Sequence, residues 1–384
     1  MLRNDLRIVT ITLGISQAVA YASSFYLFGV LGDPIASSLG IPQSTIFISL
    51  SGAFLCSAVL APKIGKWVDL HGGRGALLAS NITFASGLAI LAQAEGSVSV
   101  VAGILVLGVG MALGLSQTAF AILASLLGSE ARRAMTGVTL IGGLGGAIGW
   151  PVTSMMEQSL TWRGAALCWA LVHVGACLPA AALLVPRHST AITEPRPQSV
   201  FRWDRQATQL AILFSGAWFI STAMSAHLPR LFVGLGLTQE VAANTAGLVG
   251  VAAVSLRALD LVFLNQLPAV LTARIATLCH PAGAIAVLLL GAPAAPLLSV
   301  GQGAGNGILS ASTGVLPLAI FGKEGYASRN ARLLLPARLL QSAGPAVYGF
   351  ALAQSIASAL MLSTLICIVM FLMTFGLEAR EQKS

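Results

Sequence analysis

Polar side chains recur at helical spacing inside long apolar stretches of this 384-residue chain. In the first such stretch Gln17, Tyr21, Ser24 and Phe28 stand at i, i+4, i+7 and i+11. In the seventh, Ser215, Trp218, Thr222 and Ser225 stand at i, i+3, i+7 and i+10, and in the tenth Gln302, Asn306, Ser310 and Thr313 stand at i, i+4, i+8 and i+11. These spacings place each set on one helix face. Gln117 in the fourth stretch and Trp150 in the fifth add an amide and an indole. Hydroxyls, amides and aromatic rings cannot break bonds unaided, but they can bind a small solute with hydrogen-bonding edges. The competing reading is that they bond helix to helix, at ~0.6 kcal/mol each.

Arg257, in VAAVSLRALDL, ends a long uncharged stretch. An arginine at the centre of a membrane helix costs ~2.5–3.5 kcal/mol on insertion scales. Two explanations are open. Its planar fork can hold an anionic substrate group, or it can pair with Asp260 at i+3 or reach the nearby membrane surface. Arg338 is a second cation closer to a helix end. Asp33, Glu95 and Glu157 all fall at the ends of apolar runs, so the first half offers no mid-membrane carboxylate as a proton relay. His173 is either a proton carrier or a packed side chain. Cys56, Cys168, Cys177, Cys279 and Cys367 lie singly in apolar runs, without metal or disulfide spacing. Neither a metal nor a cofactor is expected. The string Gly301, Gly303, Gly305, Gly307 lacks the preceding strand a phosphate loop needs. Asn81-Ile82-Thr83 matches a glycosylation acceptor only formally, because it sits inside an apolar run.

The elements that must carry these residues follow from composition. The chain is 56% hydrophobic and 9% charged, where a soluble domain is ~25% charged. Twelve apolar runs approach the ~20 residues a membrane helix needs: 8–30, 44–64, 75–94, 98–127, 134–156, 164–185, 207–228, 242–264, 273–292, 294–320, 333–354 and 357–377. Backbone polar groups must be paired in lipid, so the runs are helices. The expected fold is an all-α membrane protein of twelve transmembrane helices in two six-helix halves, 1–185 and 207–384, joined by a cytoplasmic linker over 186–206. The first run is too long for a signal-peptide core. With the N-terminus inside, seventeen of the 21 Lys and Arg residues fall on the cytoplasmic side, and only Arg163 and Arg230 fall outside. This bias predicts that both termini are cytoplasmic. It also accounts for the net charge of +8 without nucleic acid.

Between the second and third runs lies Ala61–Gly75, APKIGKWVDLHGGRG. Gly65, Asp69, Gly72 and Arg74 keep a Gly-x-x-x-Asp-x-x-Gly-x-Arg spacing, and a tight turn there needs glycines that accept positive φ. This stretch resembles the signature between the second and third helices of the major facilitator superfamily of secondary transporters, and the resemblance extends over essentially the whole chain. It implies a cavity lined by helices 1, 4, 7 and 10, and a latch at Asp69 that closes the cytoplasmic side. The arginine usual after the aspartate is Leu70 here, which weakens the latch. The second half echoes the signature only faintly, in Arg257, Asp260 and Pro268, so its symmetry reads as one of hydropathy.

The functional expectation is a non-enzymatic carrier in a bacterial inner membrane that works by alternating access. It needs a small-molecule substrate and a lipid bilayer; no obligate protein partner is evident. YASSFYLFGVLGDPIA, GWPVTSMMEQSLTWRGAAL and GAGNGILSASTGVLPLAIFG resemble a bacterial branch of carriers that includes vitamin uptake of the riboflavin kind. The candidate substrate contacts are Gln17, Tyr21, Ser24, Gln117, Trp150, Trp218, Thr222, Arg257, Asn306 and Thr313. Alternatives are a carboxylate carrier that uses Arg257, as the organic-anion and monocarboxylate branches do by resemblance, or an exporter. Drug exporters of the superfamily carry an arginine in helix 4, where VLGVGMALGLSQ stands here, and a fifth-helix Gly-Pro signature that Gly145, Gly146, Gly149 and Pro151 only approximate.

Overall fold

The computed structural model describes residues 3–127, 131–187, 203–262, 267–321 and 326–377. Most of the expected linker lies outside these residues, as do Lys323, Arg380 and Lys383. The side chains of Asp69, Arg132, Arg133 and Asp260 also lie outside the described set.

Among the described residues there is no strand. The helices are α1 (Arg3–Ala20), a π turn (Tyr21–Phe25), α2 (Phe28–Leu39), α3 (Gln43–His71), α4 (Gly73–Ala92), α5 (Ser97–Gly114), α6 (Ser116–Leu127), α7 (Ala131–Gly143) and α8 (Gly145–Val172). A second π turn (His173–Cys177), α9 (Leu178–Leu184), α10 (Arg205–Gly234), α11 (Gln239–Val262) and α12 (Ala269–Leu290) follow. A 3-10 turn at Ala292–Ala294, α13 (Ala295–Phe321), α14 (Tyr326–Leu333), α15 (Leu335–Gln354) and α16 (Ile356–Met373) complete the order.

Ten helical segments among the described residues are long and apolar enough to cross a membrane. One of them, Ala134–Leu184, has 51 residues, over twice the ~20 one crossing requires. It breaks at Thr161, where φ is 65°, and this divides the expected fifth and sixth spans. The expected eleventh span is the 20-residue α15, which is not among the ten because Arg338, Gln341 and Gln354 dilute its apolar character. Leu171, Leu289 and Leu365 leave their side chains exposed, as a surface in contact with lipid tails allows and water does not.

Two compact units form. The first takes Met1–Thr193 with Ser225–Arg230 and Gln239–Gly247, and the second takes Glu194–Met224, Leu231–Thr238 and Leu248–Ser384. Val9, Leu13, Leu77, Ile122 and Val138 build part of the first unit's core. The glycine string of the fifth span lets α1 and the π turn after it approach: Gly142 packs on Gln17 of α1, and Gly145 and Gly149 pack on Tyr21 and Ala22 of the π turn.

The stretch 61–75 is narrower as a turn than its glycines predict. α3 runs through Pro62, Gly65 and Asp69 to His71, and Gly72 alone breaks the chain, at φ 83°. Gly65 is an ordinary helical residue with open space around it. One residue suffices because a single left-handed φ reverses the chain direction, and only glycine takes it without strain.

Candidate functional site

In the first unit the polar face of helix 1 meets a break in helix 4. α5 ends at Gly114, Leu115 turns extended, and α6 begins at Ser116. Gln17, 1% exposed, donates from Nε2 to the Gly114 carbonyl at 2.7 Å. Tyr21 Oη and Ser116 Oγ lie 2.9 Å apart. Gln117, the next residue, is exposed. Gln17 and Tyr21, one turn apart on helix 1, therefore both meet the break in helix 4, and Gln117 follows that break in sequence. Ser116, which the sequence does not single out, completes the group. Non-helical backbone at membrane depth is tolerated where it lines a cavity or is buried in protein, and interrupted helices are where carriers build binding sites. The Gln17 Oε1 atom is buried and has no partner.

The rest of the helix 1 stripe does not join this group. The π turn at Tyr21–Phe25 adds a residue to one turn and shifts the face that follows. Ser24 turns back to the Ala20 carbonyl at 2.5 Å. Trp150, 1% exposed, packs edge-on to Tyr26 with centroids 4.9 Å apart. Its indole nitrogen lies beside Gly29, where a Cβ would come within 2.8 Å. Gly29 is twelve residues beyond Gln17, roughly 18 Å along a helix. Trp150 Nε1 is also buried without a partner. In the same unit Arg230 is held inside α10 rather than in a loop, with Nε 3.1 Å from Asp33 Oδ1 and a hydrogen bond to Gln43 Oε1.

In the second unit Arg257 of α11 donates to Ser310 Oγ of α13. Ser310 also bonds the Gly307 carbonyl, and Thr313 donates to the Ser310 carbonyl at 2.7 Å. Arg257 thus meets the polar stripe of the tenth span. Asn306 lines a small cavity with Gln302, Thr277 and His280. Trp218 is half-buried. Thr222 is fully buried, and its hydroxyl reaches the Phe219 carbonyl at 3.0 Å and the Gln341 carbonyl at 2.9 Å. This hydroxyl ties α10 to α15, the helix-to-helix role weighed against substrate contact. No group of three His, Cys, Asp or Glu among the described residues could hold a metal.

Each unit also joins its third helix to its sixth by two polar bridges that sequence patterning does not reveal. Arg74, in the first turn of α4, donates to the Ala182 carbonyl in the last turn of α9. Arg274, near the start of α12, donates from Nε to Thr374 Oγ1 at 3.1 Å, just past α16. A guanidinium at a helix C-terminus satisfies orphan carbonyls and complements the dipole. Deeper in, Ser23 Oγ lies 2.7 Å from His173 Nε2, and His173 Nδ1 lies 2.8 Å from Asn81 Oδ1. This chain joins the two π turns of the first unit directly and ties the second of them to α4. In the second unit His280 Nε2 lies 2.9 Å from Ser363 Oγ, joining α12 to α16. The symmetry of the halves therefore extends to residues, at Arg74 and Arg274, beyond hydropathy. The formal glycosylation acceptor Asn81 is a buried partner of His173.

Carriers build their binding sites from polar groups and broken helices within apolar spans, and this chain has both. Residues 13–298 match the family description Major Facilitator Superfamily, and the chain belongs to that superfamily. It is a multi-pass secondary transporter and not an enzyme. Its fold is similar to that of a bacterial homologue of the human lysosomal transporter Spinster in an inward-facing and occupied conformation, with TM-score 0.75, 13% identity, and coverage of 98% of this chain and 97% of that one. It is also similar to a point mutant of the nucleoside transporter NupG, with TM-score 0.77, 13% identity, and coverage of 96% of this chain and 100% of that one. No curated protein sequence matches it.

Proposed function

We propose that this transporter takes up a small neutral heterocycle of the riboflavin kind across a bacterial inner membrane, with both termini cytoplasmic. Its halves, 1–185 and 207–384, expose the bound solute to one side of the membrane and then the other. The observation that carries the reading is the interruption of helix 4 at Leu115, which lies against Gln17 and Tyr21. A flat heterocycle with donors and acceptors on its rim suits an aromatic ring, a hydroxyl pair and an amide whose Oε1 has no protein partner. The test is thermal unfolding of purified protein against riboflavin, other neutral heterocycles and small carboxylates. A ligand at a hundredfold excess over its dissociation constant stabilises by ~2.7 kcal/mol. Stabilisation by a neutral heterocycle that is lost in Gln17→Ala is expected. Stabilisation by carboxylates alone rejects the reading.

Arg257 favours a second reading, a carboxylate carrier, because a half-buried guanidinium beside the polar stripe of α13 is a ready anion site. Arg257→Gln separates the two. It abolishes carboxylate transport under the second reading and spares neutral uptake under the first. Export instead of uptake is decided by accumulation in everted rather than right-side-out vesicles.

A further inference from the structure

The two buried histidines differ in what their second ring nitrogen meets. His173 is satisfied on both sides. Asn81 gives its amide hydrogen to the Leu77 carbonyl at 2.9 Å, so its Oδ1 accepts from His173 Nδ1, and Nε2 is left to accept from the Ser23 hydroxyl. His280 is satisfied on one side only. Ser363 donates its hydroxyl hydrogen to the Leu360 carbonyl at 3.0 Å, so at 2.9 Å it accepts from His280 Nε2. The remaining nitrogen, Nδ1, carries a basic lone pair. It is buried without a hydrogen bond of its own, on a residue only 3% exposed, with the Gln302 amide facing the ring.

His280 lines a cavity of about 20 Å³ inside the second unit, together with Thr277, Gln302, Asn306 and Cys367. That is room for one water, which needs ~10–15 Å³ and two or more polar partners. The groups present are a basic nitrogen, two amides and a hydroxyl.

We propose that this cavity is a proton-binding site, in which one water bridges His280 Nδ1 to the amides of Gln302 and Asn306. A proton delivered through the water forms the Nδ1–H bond. The product is an imidazolium whose Nε2–H stays on Ser363, and the water turns to accept from it. Around the ring, α12 itself contributes Thr277, α13 contributes Gln302 and Asn306, and α16 contributes Ser363 and the thiol of Cys367, which neighbours the Cys279 thiol of α12. α15 contributes the phenol of Tyr348, which faces Ser363, and α10 only Ala217 and Ile220. No Asp, Glu, Lys or Arg lines the cavity. Of the cations on these helices, Arg274 of α12 is engaged by Thr374 and Arg338 stands near the start of α15. A proton there adds a full charge where no counter-ion lines the cavity. Asn306 belongs both to this cavity and to the stripe assigned to the substrate. The link to transport rests on that assignment; the proton site does not.

The experiment is an NMR pH titration of the full-length protein in lipid nanodiscs with ¹⁵N-labelled histidine. The probe is the proton itself, so no substrate is needed. At the alkaline end His280 is expected as the Nε2–H tautomer and His173 as the Nδ1–H tautomer. On acidification His280 Nδ1 moves to the protonated position. His280→Gln identifies the resonances by their loss. Should that variant not fold, Ser363→Ala identifies them by shifting Nε2 selectively. An Nδ1–H tautomer at His280, or ring nitrogens unmoved until the protein unfolds, overturns the proposal. A failed riboflavin stabilisation would reject the substrate reading and leave this result standing.

Discussion

Replacing Asn81 by leucine should strand the Nδ1–H of His173 in the first unit. The ring is fully buried and stacks on Phe84, with centroids 5.0 Å apart and planes at 26°. Among the described residues Asn81 is the acceptor at that nitrogen, and its other bond, to Leu77 of its own helix, adds little because helix carbonyls are already engaged. A buried donor left unpaired costs about 1–3 kcal/mol. In membranes the measured pair energies average ~0.6 and reach ~1.7 kcal/mol, because the unfolded helices also find partners. The complete burial of His173 places the expectation near the top of that range, about 1–2 kcal/mol. His173→Phe keeps the stacking and frees Ser23 Oγ for the Ala20 carbonyl, 3.5 Å away. Removing both polar partners together should then cost less than the two single losses summed, since apolar replacement of a whole pair is close to neutral. The assay is reversible unfolding in mixed micelles for the wild type, both single variants and the double. A coupling of about 1–2 kcal/mol is expected. Additivity within about 0.5 kcal/mol would refute the bridge.

Gly114→Ala should destabilise by about 1–3 kcal/mol through overpacking, since a Cβ there would stand 1.8 Å from Ser80 Oγ; recovery in the Gly114→Ala, Ser80→Gly double variant checks the cause in the same unfolding assay. Arg74→Gln and Arg274→Gln should each cost about 0.3–1 kcal/mol, with hydrogen exchange rising in the last turn of α9 in one case and of α16 in the other; a rise spread over the whole unit would contradict a capping role. Asp69→Asn should lower the transport rate more than ligand affinity, measured as initial uptake against equilibrium binding, and equal losses would count against gating.

Much of the architecture is legible from sequence because lipid leaves the backbone few options. Runs such as 98–127 and 273–292 become helices wherever about twenty apolar residues recur, and the charge bias supplies an expected orientation. That Gln17 and Tyr21 share one side of helix 1 is legible too, since regular spacing keeps polar groups on one face. What spacing does not reveal is how each group spends its hydrogen bonds. Ser24 and Thr222 fit the stripe but bond carbonyls within three or four residues, as hydroxyls in helices often do. The break at Leu115 carries no proline. The Asn81–His173 contact joins residues 92 apart, beyond the reach of any periodic pattern. The turn at Gly72 is narrower than its glycine count implies, because only positive φ forces a break, and Gly65 has an ordinary helical one.

The histidine bridges have a consequence for how such a chain can change. In the first unit the imidazole sits on the sixth span and its amide partner on the third; in the second unit the imidazole sits on the third span and a hydroxyl on the sixth. A hydrogen bond between two helices belongs to neither of them. It requires one donor and one acceptor at a given depth and is indifferent to which chain supplies which. The two units can therefore hold the same helix pair together with exchanged residues, and a search for repeated letters between the halves passes over the correspondence. The exchange has one chemical effect: the half whose imidazole has a partner at each nitrogen is closed to further ligands, while the half with a spare nitrogen keeps a place for one.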